Sequence, residues 1–328
     1  MARYLGELVG EHSSIEEVRR LIRKVARSPA QSVLIYGETG TGKGLVARMV
    51  HEQSVRSRKP FIDINCAAIP STLLESELFG HEKGAFTGAV QKKTGLVEAA
   101  NGGSLFLDEI REMDLSLQAK LLTLLDNQEF RRIGAVAPTK VDVRFLAATN
   151  KILLSEVNAG RFRNDLYYRL QIVAINLPAL RERGEDVFVL TDYFIRKLNV
   201  RYDRAITGLD EEARRIFSSY SWPGNVRELE NLLERNFILE DDNVIRPHHL
   251  PDRILRMVSN QPPTAGGVSK GGNLPLEVAD FHAATSAYQR ALIEKALADS
   301  NGSTGKAARA LALSRHALRH QMQKLGLL

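Results

Sequence analysis

Short apolar, β-rich runs recur through the first half of the chain, at Ser32–Tyr36, Phe61–Asn65, Ser104–Leu107 and Val141–Ala147. Between them the apolar residues change to helical spacing, as in Leu117, Leu121, Leu124 and Leu125. Strand-sized runs alternating with helical faces predict a largely parallel sheet covered by helices, an α/β class. From about Glu185 to Pro251 only helical periodicity remains, which predicts a smaller helical subdomain. Residues 259–275 are rich in Gly, Pro and Ser and cannot bury an apolar face, so they read as a flexible linker. Beyond it, Ala287, Tyr288, Ala291, Leu292, Lys295, Ala296 and Leu297 share a helical pattern. A short helix over residues 304–311, a turn at Leu313-Ser314 and a second helix from Arg315 to Leu325 follow, with Ser314 as natural N-cap. The expected division is 1–175 α/β, 176–256 helical, 257–276 linker and 277–328 a small all-α domain. No internal repeat is present.

Charge sharpens the last of these. The 328 residues carry a net charge of only +6, but no acidic residue follows Asp299. Lys306, Arg309, Arg315, Arg319 and Lys324, with His316 and His320, all lie in that tail. A basic, acid-free helix pair points to nucleic acid. With 26% charged and 44% hydrophobic residues the chain is ordinary globular material. One cysteine, Cys66, excludes an internal disulfide framework and a four-cysteine zinc site. No apolar run is long enough to span a bilayer, and the start has no secretory stretch, so a cytoplasmic location is expected.

The chemistry begins after the first strand run. Gly37-Glu38-Thr39-Gly40-Thr41-Gly42-Lys43 leads into a helical pattern carrying Leu45, Val46, Met49 and Val50. Glycines permit a tight loop whose N–H groups face phosphate oxygens; a helix N-terminus and Lys43 add favourable field. Gly44 stands where a Ser or Thr would touch magnesium, so the metal must rely on another ligand. Ser104-Leu105-Phe106-Leu107-Asp108-Glu109 supplies a candidate: an apolar strand ending in two carboxylates, a Walker B pattern. Asp108 is the expected magnesium ligand and Glu109 the group that polarises attacking water. A third strand ends in Thr149-Asn150, polar side chains placed to face a γ-phosphate.

Between these elements, Gly84-Ala85-Phe86-Thr87-Gly88-Ala89 sets one aromatic among small residues, which suggests a mobile contact point. The run resembles the GAFTGA signature of the NtrC-type bacterial enhancer-binding proteins, AAA+ ATPases that activate transcription by sigma-54 RNA polymerase. The resemblance extends from about Leu8 to Glu240. It includes Asn65-Cys66-Ala67-Ala68, Asp108-Glu109-Ile110, Phe162–Leu170, Leu177–Arg183 and Trp222–Leu229. It implies an AAA+ P-loop ATPase with a helical lid, using ATP and Mg2+. It also implies roles: Asn65 as a switch on Glu109, Arg163 and Arg169 as fingers reaching a neighbouring subunit, and Arg227 as sensor II. Val9-Gly10 resembles the segment lining the adenine pocket, and Gly84–Ala89 the sigma-54 contact. Asn225 and Glu228 suggest a capping box that sets Arg227 in a helix's first turn. The C-terminal block resembles a Fis-type helix-turn-helix, with Lys306, Ser314, Arg315, His316, Arg319, His320 and Lys324 as its DNA-binding candidates.

The partners so implied are the sigma-54 RNA polymerase holoenzyme, double-stranded DNA at an upstream site, and further copies of the chain. The assembly expected is a hexamer with dimeric DNA-binding domains, without a membrane. Three positions depart from the family pattern: Gly44 where Glu is usual, Arg111 for Gly, and Asn164 for an acidic residue. The alternatives are a DNA-binding repressor of the same architecture without sigma-54 activation, and a AAA+ protein-unfolding enzyme. Because the chain starts close to the ATPase region, control comes from a separate partner or from a missing N-terminal part; the sequence leaves both open.

Overall fold

The computed structural model describes residues 7–259 and scattered positions between 290 and 327. The chain divides into two compact units, Met1–Pro262 and Pro263–Leu328.

The first unit is built on five parallel strands: β1 (Ser32–Tyr36), β2 (Phe61–Asn65), β3 (Ser104–Asp108), β4 (Arg144–Thr149) and β5 (Ala174–Asn176). They lie in the order β2-β3-β4-β1-β5. The central strands β1, β3 and β4 are covered on both faces and send alternate side chains to opposite cores, while the edge strand β2 is only partly buried, with Asp63 and Asn65 exposed. Val33, Ile35, Phe106, Leu146 and Ala148 pack with helices α1 (Ser13–Ala26) and α2 (Lys43–Glu52). Leu34, Leu105, Leu107, Phe145 and Ala147 pack with α3 (Ser71–Phe79), α4 (Leu115–Asn127) and α5 (Asn164–Leu170). Arg144, buried at the foot of β4, donates to Val25 O at 2.7 Å and Ala26 O at 3.2 Å, satisfying carbonyls at the C-terminus of α1.

One sheet expectation needs correction, and one strand was not anticipated. The fourth strand begins at Arg144 rather than Val141, because Val141 N and Val143 N bond to Gln128 O and Oε1 at the end of α4, each at 2.9 Å. Strand β5 has only three residues, too few for a period-2 signal.

The chain then forms a helical lid: α6 (Asp186–Tyr202), α7 (Glu211–Ser219), α8 (Asn225–Leu239) and α9 (Asp252–Ser259). Its core gathers around Trp222, whose indole N–H donates to Phe217 O at 3.0 Å. The region is not wholly helical, since Gly208–Leu209 pairs in parallel with Val244–Ile245. Helix α9 also runs past residue 256, where the linker was expected to begin. In the second unit, Ile293, Ala296, Ala307, Leu318 and Met322 form a small buried apolar cluster. The predicted helix-turn-helix and its residues Lys306, Ser314, Arg315, His316, Arg319, His320 and Lys324 lie outside the described residues. Among the described residues, no helix is long and apolar enough to cross a membrane.

Candidate functional site

The C-terminal edge of the sheet opens into a cleft of about 730 Å³ between the α/β layer and the lid. Its floor is the loop from β1 to α2. Gly40 (φ 83°) and Gly42 (φ 103°) hold left-handed conformations there, and α2 starts at Lys43. A Cβ on Gly40 would lie 2.1 Å from Gly224 O of the lid, so no other residue fits without moving that contact. Buried Lys43 donates from Nζ to Gly37 O at 2.9 Å and lies 3.6 Å from Glu109 Oε1. A cation above open backbone N–H groups is a site for phosphate.

Asp108 and Glu109 end β3 beside it, and both line the cleft. Glu109 adopts φ 51°, ψ 51°, a left-handed conformation uncommon for a residue other than glycine. Asn65 pairs with Asp108 across the sheet register. Its side chain does not hold Glu109, however: Oδ1 accepts from Ala67 N at 2.9 Å and caps the turn Cys66–Ala68. The partners of Glu109 are Lys43 and Arg111, whose Nε stands 3.8 Å from Glu109 Oε2. Asp108, Glu109 and the unpredicted Asp63 give the cleft an oxygen donor set. Hard carboxylate oxygens next to a phosphate cradle suit Mg2+, which takes one or two carboxylates together with phosphate oxygens and water. Gly44, also at the lining, offers no hydroxyl, and its added Cβ would touch only Phe106 Cε1, at 3.7 Å.

Of the residues singled out in the sequence, Val9, Thr39, Gly40, Thr41, Gly42, Lys43, Gly44, Asn65, Asn150 and Arg227 line the cleft. Gly10, Gly37, Glu38 and Thr149 stand behind the lining. Thr149 is buried, and its hydroxyl is engaged by Lys151 N and O at 3.3 Å. Asn150 instead donates to Thr39 Oγ1 at 3.1 Å, leaving its buried Oδ1 without a partner. Gly10 approaches the lid so closely that a Cβ would lie 2.4 Å from Asp186 Oδ2. Asp186 Oδ1 accepts from Glu11 N (2.6 Å) and His12 N (3.0 Å), strapping the N-terminal segment to α6. Leu8, Val9, Leu190, Tyr193, Phe194 and Val226 make this end of the cleft apolar, as a flat heterocycle requires.

Glu38 does not face phosphate. It receives two bonds from Arg181, at 2.6 and 2.8 Å, and one from Asn225 Nδ2 at 3.2 Å. The Arg181 guanidinium holds its carboxyl down to about 2. Asn225 also donates to Thr39 O at 3.0 Å and accepts from Leu180 N at 2.8 Å. It therefore fastens the lid to the loop rather than closing a capping box. Glu228 accepts from Gly224 N at 2.8 Å instead, and Arg227 does fall in the first turn of α8. Arg183, buried under the loop, donates to Pro178 O at 2.8 Å and lies 3.4 Å from Thr41 O. Arg163 and Arg169 are not at the cleft. They pair with Asp165 (2.7 Å) and Asp126 (2.9 Å), each about two-fifths exposed.

The GAFTGA run tops a hairpin formed by Gly80–His81 and Lys93–Thr94. Gly84 N donates to Ala89 O at 2.8 Å and closes the tip, with Phe86 and Thr87 exposed and Ala89 buried. Phe86 is 43% exposed and meets His81 edge-on at 4.9 Å. A second hairpin, Glu129–Phe130 with Thr139–Lys140, braces the first through Glu82 N to Ile133 O and Ile133 N to Gly80 O, both 3.0 Å. Arg132 from that hairpin pairs with Glu82 (3.2 Å) and Glu98 (2.9 Å). No local sequence signal announced this brace.

Residues 8–176 match the model of the Sigma-54 interaction domain, and residues 181–266 that of an AAA+ ATPase lid domain. The regulatory protein AtoC of Escherichia coli is 42% identical over 98% of this chain and 68% of its own length. The nitrogen fixation protein AnfA of Azotobacter vinelandii is also 42% identical, over 98% of this chain; the chain spans 57% of that relative. Among solved structures, NtrX from Brucella abortus in complex with ATP aligns with a TM-score of 0.73 at 32% identity, covering 98% of this chain and 69% of NtrX. The nucleotide cleft, the braced GAFTGA hairpin and these likenesses agree, and the chain belongs to the NtrC-type family of sigma-54-dependent AAA+ transcriptional activators.

Proposed function

We propose that this chain is an ATP-driven activator of the sigma-54 RNA polymerase holoenzyme, hydrolysing ATP in the cleft and presenting Phe86 and Thr87 to sigma-54. The observation that carries this is the continuity between cleft and loop. Strand β2 ends at Asn65 beside Asp108, and only the turn Cys66–Ala68 and helix α3 separate it from the hairpin base at Gly80. Ser76 on α3 bonds to His81 of that base at 2.8 Å. A shift at the strand ends would travel through one short rigid helix to the loop.

The reaction is phosphoryl transfer to water, in which a protein contributes positioning and charge. Bound Mg2+ supplies charge neutralisation on the phosphate oxygens, with Asp108 as its ligand. Lys43 leaves the carbonyl of Gly37 for the outer phosphates, and Arg227 approaches them from the lid. Glu109 orients and polarises the attacking water. Asn65, one strand over from Asp108, is the switch that holds Glu109 inactive until nucleotide is read, giving up its turn contact to do so. Arg163 and Arg169, exposed and remote from their own cleft, reach the site of a neighbouring subunit in a ring, taken as a hexamer. Fingers of this kind contribute about 10³–10⁵ in rate in other NTPases. The basic C-terminal block, with Arg315 and Arg319 foremost, binds an upstream DNA site as a dimeric helix-turn-helix, and remodelling of the closed promoter complex follows from repeated hydrolysis.

Steady-state hydrolysis tests the shared site. Lys43→Ala should lose ATP turnover, and Arg163→Ala and Glu109→Gln should each lower it to a small, measurable residual rate. Mixing the last two should restore part of the activity, because a mixed ring contains interfaces with one intact Glu109 and one intact Arg163. A Lys43→Ala protein that hydrolyses ATP at the normal rate would refute the assignment of the cleft.

A further inference from the structure

Arg111 sits on the short turn Ile110–Glu112 directly after the catalytic strand end and lines the cleft with Glu109. Its guanidinium is anchored by Glu112, Nη2 to Oε1 at 2.6 Å. That anchor leaves Nε facing Glu109 Oε2 at 3.8 Å, about 1 Å longer than a good N–H···O hydrogen bond. Both of these atoms are buried, and neither has a hydrogen-bond partner. A buried donor and a buried acceptor left open face to face is a costly arrangement that a small rotation removes. What holds it open is the other carboxylate oxygen, Oε1, drawn to Lys43 Nζ at 3.6 Å.

Lys43 is also the cation that triphosphate would claim. Once it turns to phosphate, the pull on Oε1 ends and Oε2 is free to close on Arg111. Glu109 would then be fixed by one oxygen, with the other presented to water. Its left-handed backbone already limits where the side chain can swing. Asn65, whose carbonyl oxygen is committed to Ala67 N, does not supply this restraint in the present state.

Resting on the reading of the cleft as an ATPase site with Glu109 as its water-polarising group, we propose that Arg111 is a positioning residue for Glu109, taking over its carboxylate from Lys43 when nucleotide binds. Arg111 touches neither phosphate nor water in this role; it acts through Glu109.

Five proteins decide it: wild type, Arg111→Ala, Arg111→Lys, Glu109→Gln, and the Arg111→Ala/Glu109→Gln double variant, each assayed for kcat and KM of ATP hydrolysis. Arg111→Ala should lower kcat by about 10- to 100-fold, the scale of a misplaced catalytic group, while KM moves less than about twofold. Arg111→Lys, which keeps the cation without the Nε geometry, should recover part of the loss. Because Arg111 acts through Glu109, adding Arg111→Ala to Glu109→Gln should cost nothing further. An unchanged kcat in Arg111→Ala, a parallel loss in KM, or a further loss in the double variant would overturn the proposal. If Glu109→Gln itself turned over normally, the assignment of Glu109 would fall, whatever Arg111 did.

Discussion

The bond between Glu38 and Arg181 joins the phosphate loop to the lid across 143 positions of sequence, and its strength can be read by removing its charge. The pair is bidentate, at 2.6 and 2.8 Å, and Glu38 is pulled from 4.5 down to about 2. A displacement of that size is worth about 3 kcal/mol for a pair shielded from water. Both side chains are 42% exposed, so solvent screening reduces the expected coupling to about 1 kcal/mol. The carboxyl is held below its unfolded value. Its contribution is therefore complete above 4.5 and declines as pH falls from there towards 2. Urea unfolding of wild type, Glu38→Gln, Arg181→Gln and the double variant at neutral pH should give a coupling of about 1 kcal/mol. At about pH 3 the same cycle should give a clearly smaller value. A coupling of zero at neutral pH, or one unchanged in acid, would refute the view that this ion pair fastens the lid.

Two other substitutions probe the frame around the cleft. Gly40→Ala places a Cβ 2.1 Å from Gly224 O in a left-handed conformation, so nucleotide titration should show affinity lowered by at least about tenfold. Normal affinity would mean that the loop and lid do not depend on that close approach. Arg144→Ala removes the guanidinium that satisfies Val25 O and Ala26 O and leaves buried carbonyls open. A loss of about 2–3 kcal/mol is expected in urea melts, and a loss below about 0.5 kcal/mol would contradict the buried-cap account.

The parts legible in the sequence were those that local pattern encodes. The strand run Ser32–Tyr36 is readable because burial on both faces makes it continuously apolar, whereas the edge strand Phe61–Asn65 is carried by Phe61, Ile62 and Ile64 with Asp63 and Asn65 exposed. The loop Gly37–Lys43 was readable because its geometry demands glycine at fixed spacing. Position along the chain does not reveal pairing at a distance. Arg181 and Asn225 read as lid residues and Glu38 as part of the phosphate cradle, yet both of the former bond to Glu38. Thr149 was expected to face phosphate, yet strand polarity cannot tell that Lys151 occupies its hydroxyl. Asn65 was assigned by resemblance to Glu109, whereas a two-residue local contact to Ala67 wins in this state. The hairpin 129–140 carries only two paired residues per strand, too short for any periodic signal, yet it braces the loop that matters most.

In the proposed mechanism ATP turnover in the cleft acts on sigma-54 through Phe86 and Thr87. Open-complex formation by purified sigma-54 holoenzyme with ATP measures this most directly, comparing wild type with Thr87→Ala. Thr87 is exposed at the tip of the loop and does not line the cleft that holds Lys43 and Glu109, so its hydroxyl can be removed without touching the hydrolytic site. Thr87→Ala should retain ATP hydrolysis and lose transcription. Transcription at the wild-type level in that variant would contradict the mechanism.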